Sequence, residues 1–358
     1  MPATASMPEP RRSRVVAGVL IAAVVFALVL LWAKWVPYAV TALRVHGDGT
    51  WSGSNVLGAG GVRPGDPPSW QAATSFVAAY GQAVWKALVA ALLISAALQS
   101  LVPRGWLLRL LNRRGRMASA FAGGLGSAPS MMCTCCTAPV VVSLRRSGVS
   151  TAAAIAYWLG NPLLNPAVLV FLLLVAPWEW TVTRLVVGLV TVVGGAALVA
   201  RLTEGRQAPP ELAQVARGEP AGPDWLARAP ARFGRALTRL ALVIVPEYLV
   251  IVFLLGAFRG WLFPIDGAAA PGLLLVVLAA VVGTLVVIPT AGEIPVLQGL
   301  AIAGVAAGPI GALLITLPVV SLPGMVMVGR ALGWRATAAT GVLAAVGGLL
   351  GAGVLTAL

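Results

Sequence analysis

The chain has 358 residues, 59% of them hydrophobic and 10% charged, with a mean hydropathy of +0.92. That leaves too little polar surface to cover a water-soluble particle of this size, so a membrane-spanning chain is expected. The formal net charge of +14 falls in a few arginine clusters beside apolar segments. This is the pattern of cytoplasmic loops under the positive-inside rule, and it removes the reason to invoke nucleic acid as a partner.

The first apolar segment, 15–36, follows Arg11, Arg12 and Arg14. It is too long for the core of a signal peptide and no small-residue cleavage site follows it, so residues 1–37 are expected to stay as a tail and anchor helix. Residues 38–73 are rich in Gly, Pro and Asp and read as an extracytoplasmic coil, with the single histidine, His46, solvated. Further spans are expected at 74–102, 149–176, 181–200, 239–258, 305–328 and 336–357, each near the length a hydrocarbon core of about 30 Å requires. Lys86, on the second span, reads as snorkelling or paired.

After the second span comes a basic loop carrying Arg104, Arg109, Arg113, Arg114 and Arg116, then an apolar stretch, 117–146, that ends in Arg145 and Arg146. A single crossing would strand that pair outside, whereas a hairpin that enters and returns keeps it inside. A basic, Pro-rich segment, 202–238, reads as a cytoplasmic linker, and 272–303 as a second hairpin entering from the other side. The N-terminus and the basic loops are then cytoplasmic, in a bacterial-type inner membrane.

Two stretches starting at Cys135 and Ala291 superpose without a gap at an offset of 156 residues, pairing Pro139 with Pro295, Gly148 with Gly304, Pro162 with Pro318 and Trp178 with Trp334. Combined with the charge pattern, this predicts repeats at 74–201 and 239–358 in opposite orientation. The expected fold is an all-α integral membrane protein with two inverted-topology repeats, each with a broken re-entrant hairpin, plus an extra N-terminal transmembrane helix. Transporters of this kind rock their halves about a shared site near the bilayer midplane.

The hairpin tips carry the chemistry. Helix breaking is expected at Pro139, Pro162, Pro166, Pro289, Pro295 and Pro318, and backbone freed in this way is tolerated in a membrane only where protein or a water-filled cavity satisfies it. The chain has three cysteines, Cys133, Cys135 and Cys136, all in the first tip. Thiolates are soft ligands that select Cu(I), Zn(II) and similar ions, and trivalent arsenic falls in the same group. The alternative is that these cysteines only pack, as small buried hydrophobes do. Thr137 accompanies them, and Met131 and Met132 are either soft ligands or packing. Asn161 and Asn165, each before a proline, either line a polar path or bond a neighbouring helix. Glu293 in the second tip, with Gln298 behind it, is a costly intramembrane carboxylate and hence a candidate proton carrier or counter-charge. Glu247 is a weaker candidate of the same kind.

The segment from Cys133 to Pro139, followed by Ser143 to Gly148 and by Asn161-Pro-Leu-Leu-Asn-Pro166, resembles the first signature of the ArsP-like permeases. Glu293-Ile-Pro-Val-Leu-Gln-Gly-Leu300, followed by Leu317-Pro-Val-Val-Ser-Leu-Pro323, resembles the second. The resemblance covers roughly 74–357 and implies a permease, not an enzyme. Known members include exporters of trivalent organoarsenicals, and the thiol site carries over onto Cys133, Cys135 and Cys136. The adjacent pair at 135 and 136 departs from the commoner wording of the tip.

The expected activity is therefore efflux of a small soft or thiophilic solute, a metalloid, metal or organic compound, across the lipid bilayer. Cys133, Cys135, Cys136, Thr137, Asn161, Asn165, Glu293 and Gln298 would contact it. No cofactor is expected; proton coupling and homo-oligomers are compatible with this reading. A permease for an unrelated organic solute and a membrane redox or metal-handover factor are the competing classes.

Overall fold

The computed structural model describes residues 12–48, 58–63, 65–204, 227–262, 272–286, 288, 290–302 and 304–358, and these form helices with no strand among them. Helix α1 (Arg12–Leu30) runs through a π-helical turn (Leu31–Trp35) into α2 (Val36–Asp48). Next come the long α3 (Trp70–Leu101) and the short α4 (Arg104–Leu111). The apolar stretch that follows is α5 (Arg116–Ser127), a 3-10 turn (Ala128–Ser130) and α6 (Thr134–Arg146). After it are α7 (Thr151–Leu163), α8 (Pro166–Val175), α9 (Trp178–Leu189), a second π turn (Val190–Gly195) and α10 (Ala196–Thr203). The second half comprises α11 (Ala229–Leu262), α12 (Gly272–Leu285), α13 (Glu293–Ile302), α14 (Ala307–Val319), α15 (Leu322–Leu332) and α16 (Trp334–Ala357).

Among the described residues, six helical segments are long and apolar enough to cross a membrane: Val16–Gly47, Trp70–Leu101, Thr151–Val175, Trp178–Thr203, Ala229–Trp261 and Trp334–Ala357. Taken as one span, α14 and α15 would be a seventh, bent by 52° at their junction. Two boundaries differ from expectation. Residues 38–48, expected as coil, continue the first helix, because the apolar run persists to Val45 and the turn-forming residues begin only at Gly47. The end of the linker is helical from Ala229, where Pro230 sits in the first turn and forfeits no intrahelical bond. Most of the Pro-rich linker, like Pro289 in the second tip, lies outside the described residues.

The offset of 156 residues reappears in the helix starts. It separates α5 from α12, α7 from α14, α8 from α15 and α9 from α16. It also relates two left-handed residues that end α6 and α13, Gly148 at φ 90° and Gly304 at φ 82°. A side chain at either position would be strained, so glycine is what lets both helices stop at the same place in the repeat.

Burial separates the helices by role. All of α7 is buried, and so is α14 from Gly308 onward. In contrast, α1, α11, α12 and α16 present large exposed apolar side chains such as Leu28, Leu242, Leu273 and Val342. In a membrane this pattern sets α7 and α14 at the centre with the others facing lipid. Close backbone approach helps. A Cβ on Gly351 would come within 2.6 Å of the Gly311 carbonyl oxygen, so α14 and α16 touch through bare backbone. Both central helices are interrupted, at Leu164–Asn165 and at Val320–Ser321.

Candidate functional site

The first tip is the break between α5 and α6, a 3-10 turn followed by non-helical backbone at 131–133. Met131 adopts a left-handed conformation (φ 48°), and the other non-glycine residue to do so among the described residues, Ala291 (φ 66°), lies in the second tip. Such backbone persists only where its surroundings hold it in place. Asn161 of α7 does much of that holding. Its Oδ1 accepts from the Ser130 hydroxyl and from the Met132 N–H at 3.2 Å, while its Nδ2 donates to the Tyr157 carbonyl at 2.9 Å. The Tyr157 hydroxyl donates to Ser130 at 3.3 Å, and the Trp158 indole donates to the Thr134 carbonyl at 3.1 Å. The Thr134 hydroxyl donates at 2.5 Å to the Pro318 carbonyl, which the interruption of α14 has freed. The first tip is thereby tied to the second half.

This frame brings the three cysteines together. Cys133 caps the start of α6 and Cys135 and Cys136 follow in its first turn. Their sulfurs lie within 4.8 Å of one another, with Cys133 3.3 Å from Cys135 and 2.9 Å from Cys136. All three are buried free thiols. Two phenols attend Cys135: the Tyr80 hydroxyl of α3 at 3.1 Å and the Tyr248 hydroxyl of α11 at 3.4 Å. Thr137 is fully buried and returns its hydroxyl to the Cys133 carbonyl at 2.8 Å, so it supports the helix start.

A cavity of about 240 Å³ adjoins the cluster, lined among others by Lys34, Tyr38, Gln82, Lys86, Cys133 and Thr290. It therefore borders both tips. Lys34 is buried and donates to the Tyr38 hydroxyl at 3.0 Å and to Thr290 Oγ1 at 3.4 Å. Its neighbour Trp35 donates to the Pro129 carbonyl in the first tip at 2.8 Å. Both residues belong to the π turn of the first helix, the kind of irregularity that recurs at functional sites. Lys86 lies over the ring of Trp85, 5.7 Å from its centroid.

Glu293 sits at the first residue of α13, where the helix dipole favours a negative charge. It is not free. Arg184 of α9 donates to it from Nη1 at 2.7 Å, with both side chains essentially inaccessible to solvent. Arg184 also donates from Nη2 to the Pro162 carbonyl at 2.7 Å and from Nε to the Leu163 carbonyl at 3.2 Å, satisfying the last turn of α7 where it breaks. One guanidinium thus joins the carbonyl end of α7 to the amide end of α13.

The remaining residues are placed as follows. Asn165 caps α8 through its Oδ1, accepting from Ala167 at 3.0 Å, and its buried Nδ2 has no protein partner. Ser321 caps α15 at the equivalent position. Gln298 donates to the Val175 carbonyl at 2.8 Å and closes the end of α8. Pro139, Pro162 and Pro318 lie inside helices, Pro166 begins α8, and Pro295 lies in the first turn of α13. Glu247 is 4.0 Å from Arg330 and lines a cavity at the far end of α6 from Cys133. His46 is exposed at the end of α2.

Sequence reasoning missed Arg184, Lys34, Tyr80 and Tyr248. Arg184 carried a usable signal, being the charged residue within an otherwise apolar span. The others acquire meaning only from contacts between distant helices.

A family model described as "Predicted permease", ArsP_1, matches residues 69–356. The UPF0718 protein YraQ of Escherichia coli (strain K12) is 42% identical over 332 residues, 91% of either chain. No solved structure matches the chain. With a buried thiol cluster at a helix break, a polar cavity beside it and a family match over most of its length, the chain belongs to the ArsP_1 family of predicted permeases.

Proposed function

We propose that this permease exports a small thiophilic solute, such as a trivalent organoarsenical or a soft metal ion, and captures it at the Cys133, Cys135 and Cys136 cluster. The observation that carries this reading is the convergence of three free thiols beside a cavity bordered by both tips. Thiol sulfurs are matched to soft centres, and three within 4.8 Å need only small rotations to meet one. Cys133 lines the cavity and receives the solute; Cys135, held by two phenols, lies deeper. A carrier must also release what it binds, so two sulfurs at a time suit transport better than three.

The halves rock about this site in opposite orientation. The recurrence of helix starts at one offset supports that reading, as do the two interrupted central helices. Glu293 acts in this scheme as the partner of Arg184, and coupling to protons through it requires that pair to open.

The test is uptake of trivalent methylarsenical, Cu(I) and Zn(II) into everted membrane vesicles, by the native chain and by a variant with all three cysteines changed to serine. Accumulation of one solute that is lost in the variant supports the proposal and names the cargo. Accumulation that survives in the variant overturns thiol capture and favours packing cysteines. No accumulation of any of the three turns the search to organic solutes or thiol redox exchange.

A further inference from the structure

A second cavity, about 440 Å³, lies at the far end of α6 from the cysteines. Arg145 and Arg146 from the end of α6, Arg239 of α11 and Arg330 of α15 line it, with Glu247 as the acidic residue in its wall. Four guanidiniums face one carboxylate, and that carboxylate reaches Arg330 only at 4.0 Å. Arg146 and Arg239 repel each other across the space. Arg145 is 8% exposed, and although Nη1 donates to the Val149 carbonyl at 2.5 Å, its Nε has no protein partner. Glu247 is the one carboxylate among the lining residues and Glu204 acts on Arg145 from outside the lining, so four guanidiniums still leave a surplus of positive charge, which is costly in a partly desolvated site and calls for an anion.

The shape of the site narrows the class. Guanidiniums present planar forks of donors that match the oxygens of phosphate, and a buried donor left unpaired favours a ligand with several acceptors. The wall also includes Val243, which is 48% exposed and on the lipid-facing side of α11 beside Leu242. We propose that this cavity is a binding site for a phosphate-class oxyanion, supplied either as the headgroup of an anionic phospholipid or as a free phosphate. Arginines from both halves contribute, so the bound anion bridges α6 to α11 and α15 and holds the two halves together at that end. The inference does not depend on the identity of the transported solute.

The experiment uses the full chain, purified and delipidated in detergent, with thermal unfolding read against added phosphatidylglycerol, phosphatidylcholine or inorganic phosphate. Phosphatidylglycerol is expected to raise the unfolding temperature and phosphatidylcholine is not. Arg146→Gln with Arg239→Gln is expected to weaken the apparent affinity by about thirtyfold, or about five- to sixfold for each arginine removed. Glu247→Gln is expected to strengthen it, a result that a variant merely damaged in folding would not produce. A response to phosphatidylglycerol alone assigns the headgroup of a lipid; an equal response to inorganic phosphate assigns the free anion. No stabilisation by either, or stabilisation that is unchanged in the double variant, overturns the site.

Discussion

Arg184 and Glu293 form a 2.7 Å ion pair 109 positions apart in the chain, and neither side chain is accessible to solvent. Their worth lies in mutual compensation. Taking either charge into this interior alone costs several kcal/mol, so removal of one partner harms the protein more than removal of both.

Glu293→Gln is therefore expected to destabilise the folded chain by about 3 kcal/mol, and Arg184→Met by about 5 kcal/mol, because the latter also strands the Pro162 and Leu163 carbonyls. The double variant should be less damaged than Arg184→Met alone. Unfolding in mixed micelles measures all three, and additive losses would show that the pair is not coupled.

Asn161→Ala removes the acceptor shared by Ser130 and Met132, leaving the Met132 N–H unpaired and the Ser130 hydroxyl with the Ser127 carbonyl alone, at a cost of about 2 kcal/mol. The tip should loosen as well. The rate at which N-ethylmaleimide modifies the cysteines is expected to rise well beyond what the drop in stability alone would produce in a variant of equal stability elsewhere.

The spans, the cysteine cluster and the repeat could be read from the sequence because each is a local or periodic signal. Runs of apolar residues set the spans, three thiols in four positions mark the tip, and matched prolines and glycines mark the offset. The site's other components are not local. Tyr80 and Tyr248 meet at Cys135 from helices far apart in the chain, and nothing in their surroundings sets them apart from interface tyrosines. Lys34 lies near the end of the first apolar run, and its contact with Thr290 and the cavity comes from the π turn and a segment far away in the chain. The rule that marks Glu293, a charge within an apolar segment, applies equally to Arg184.

Lys34→Met should lower transport by about tenfold, the equivalent of about 1.4 kcal/mol, with little change in unfolding temperature. The ammonium faces a cavity and not a packed wall, so its loss alters what the cavity attracts more than how the helices fit. Vesicle uptake paired with thermal unfolding separates the two effects.

Among the thiols, Cys133→Ser is expected to reduce transport by more than tenfold, and Cys135→Ser by less, since Cys133 lines the cavity while Cys135 is occupied by two phenols. Equal losses would mean that all three sulfurs hold the solute together.

Gly351→Ala places a methyl group against the Gly311 carbonyl and is expected to cost about 1–3 kcal/mol through separation of α14 and α16. Gly353, whose Cβ position is open, provides the control: Gly353→Ala should be neutral or slightly stabilising on unfolding.

The π turn at Leu31–Trp35 holds one more residue than an ordinary helical turn would, and its last two residues grip different halves: Trp35 the Pro129 carbonyl, Lys34 the Thr290 hydroxyl. Deleting one residue from that turn would restore regular winding and rotate the preceding helix by about 100° relative to these contacts. The first helix is thus a latch whose setting depends on a single surplus residue, and shortening it by that residue is expected to release both tips together while leaving the anchor in the membrane.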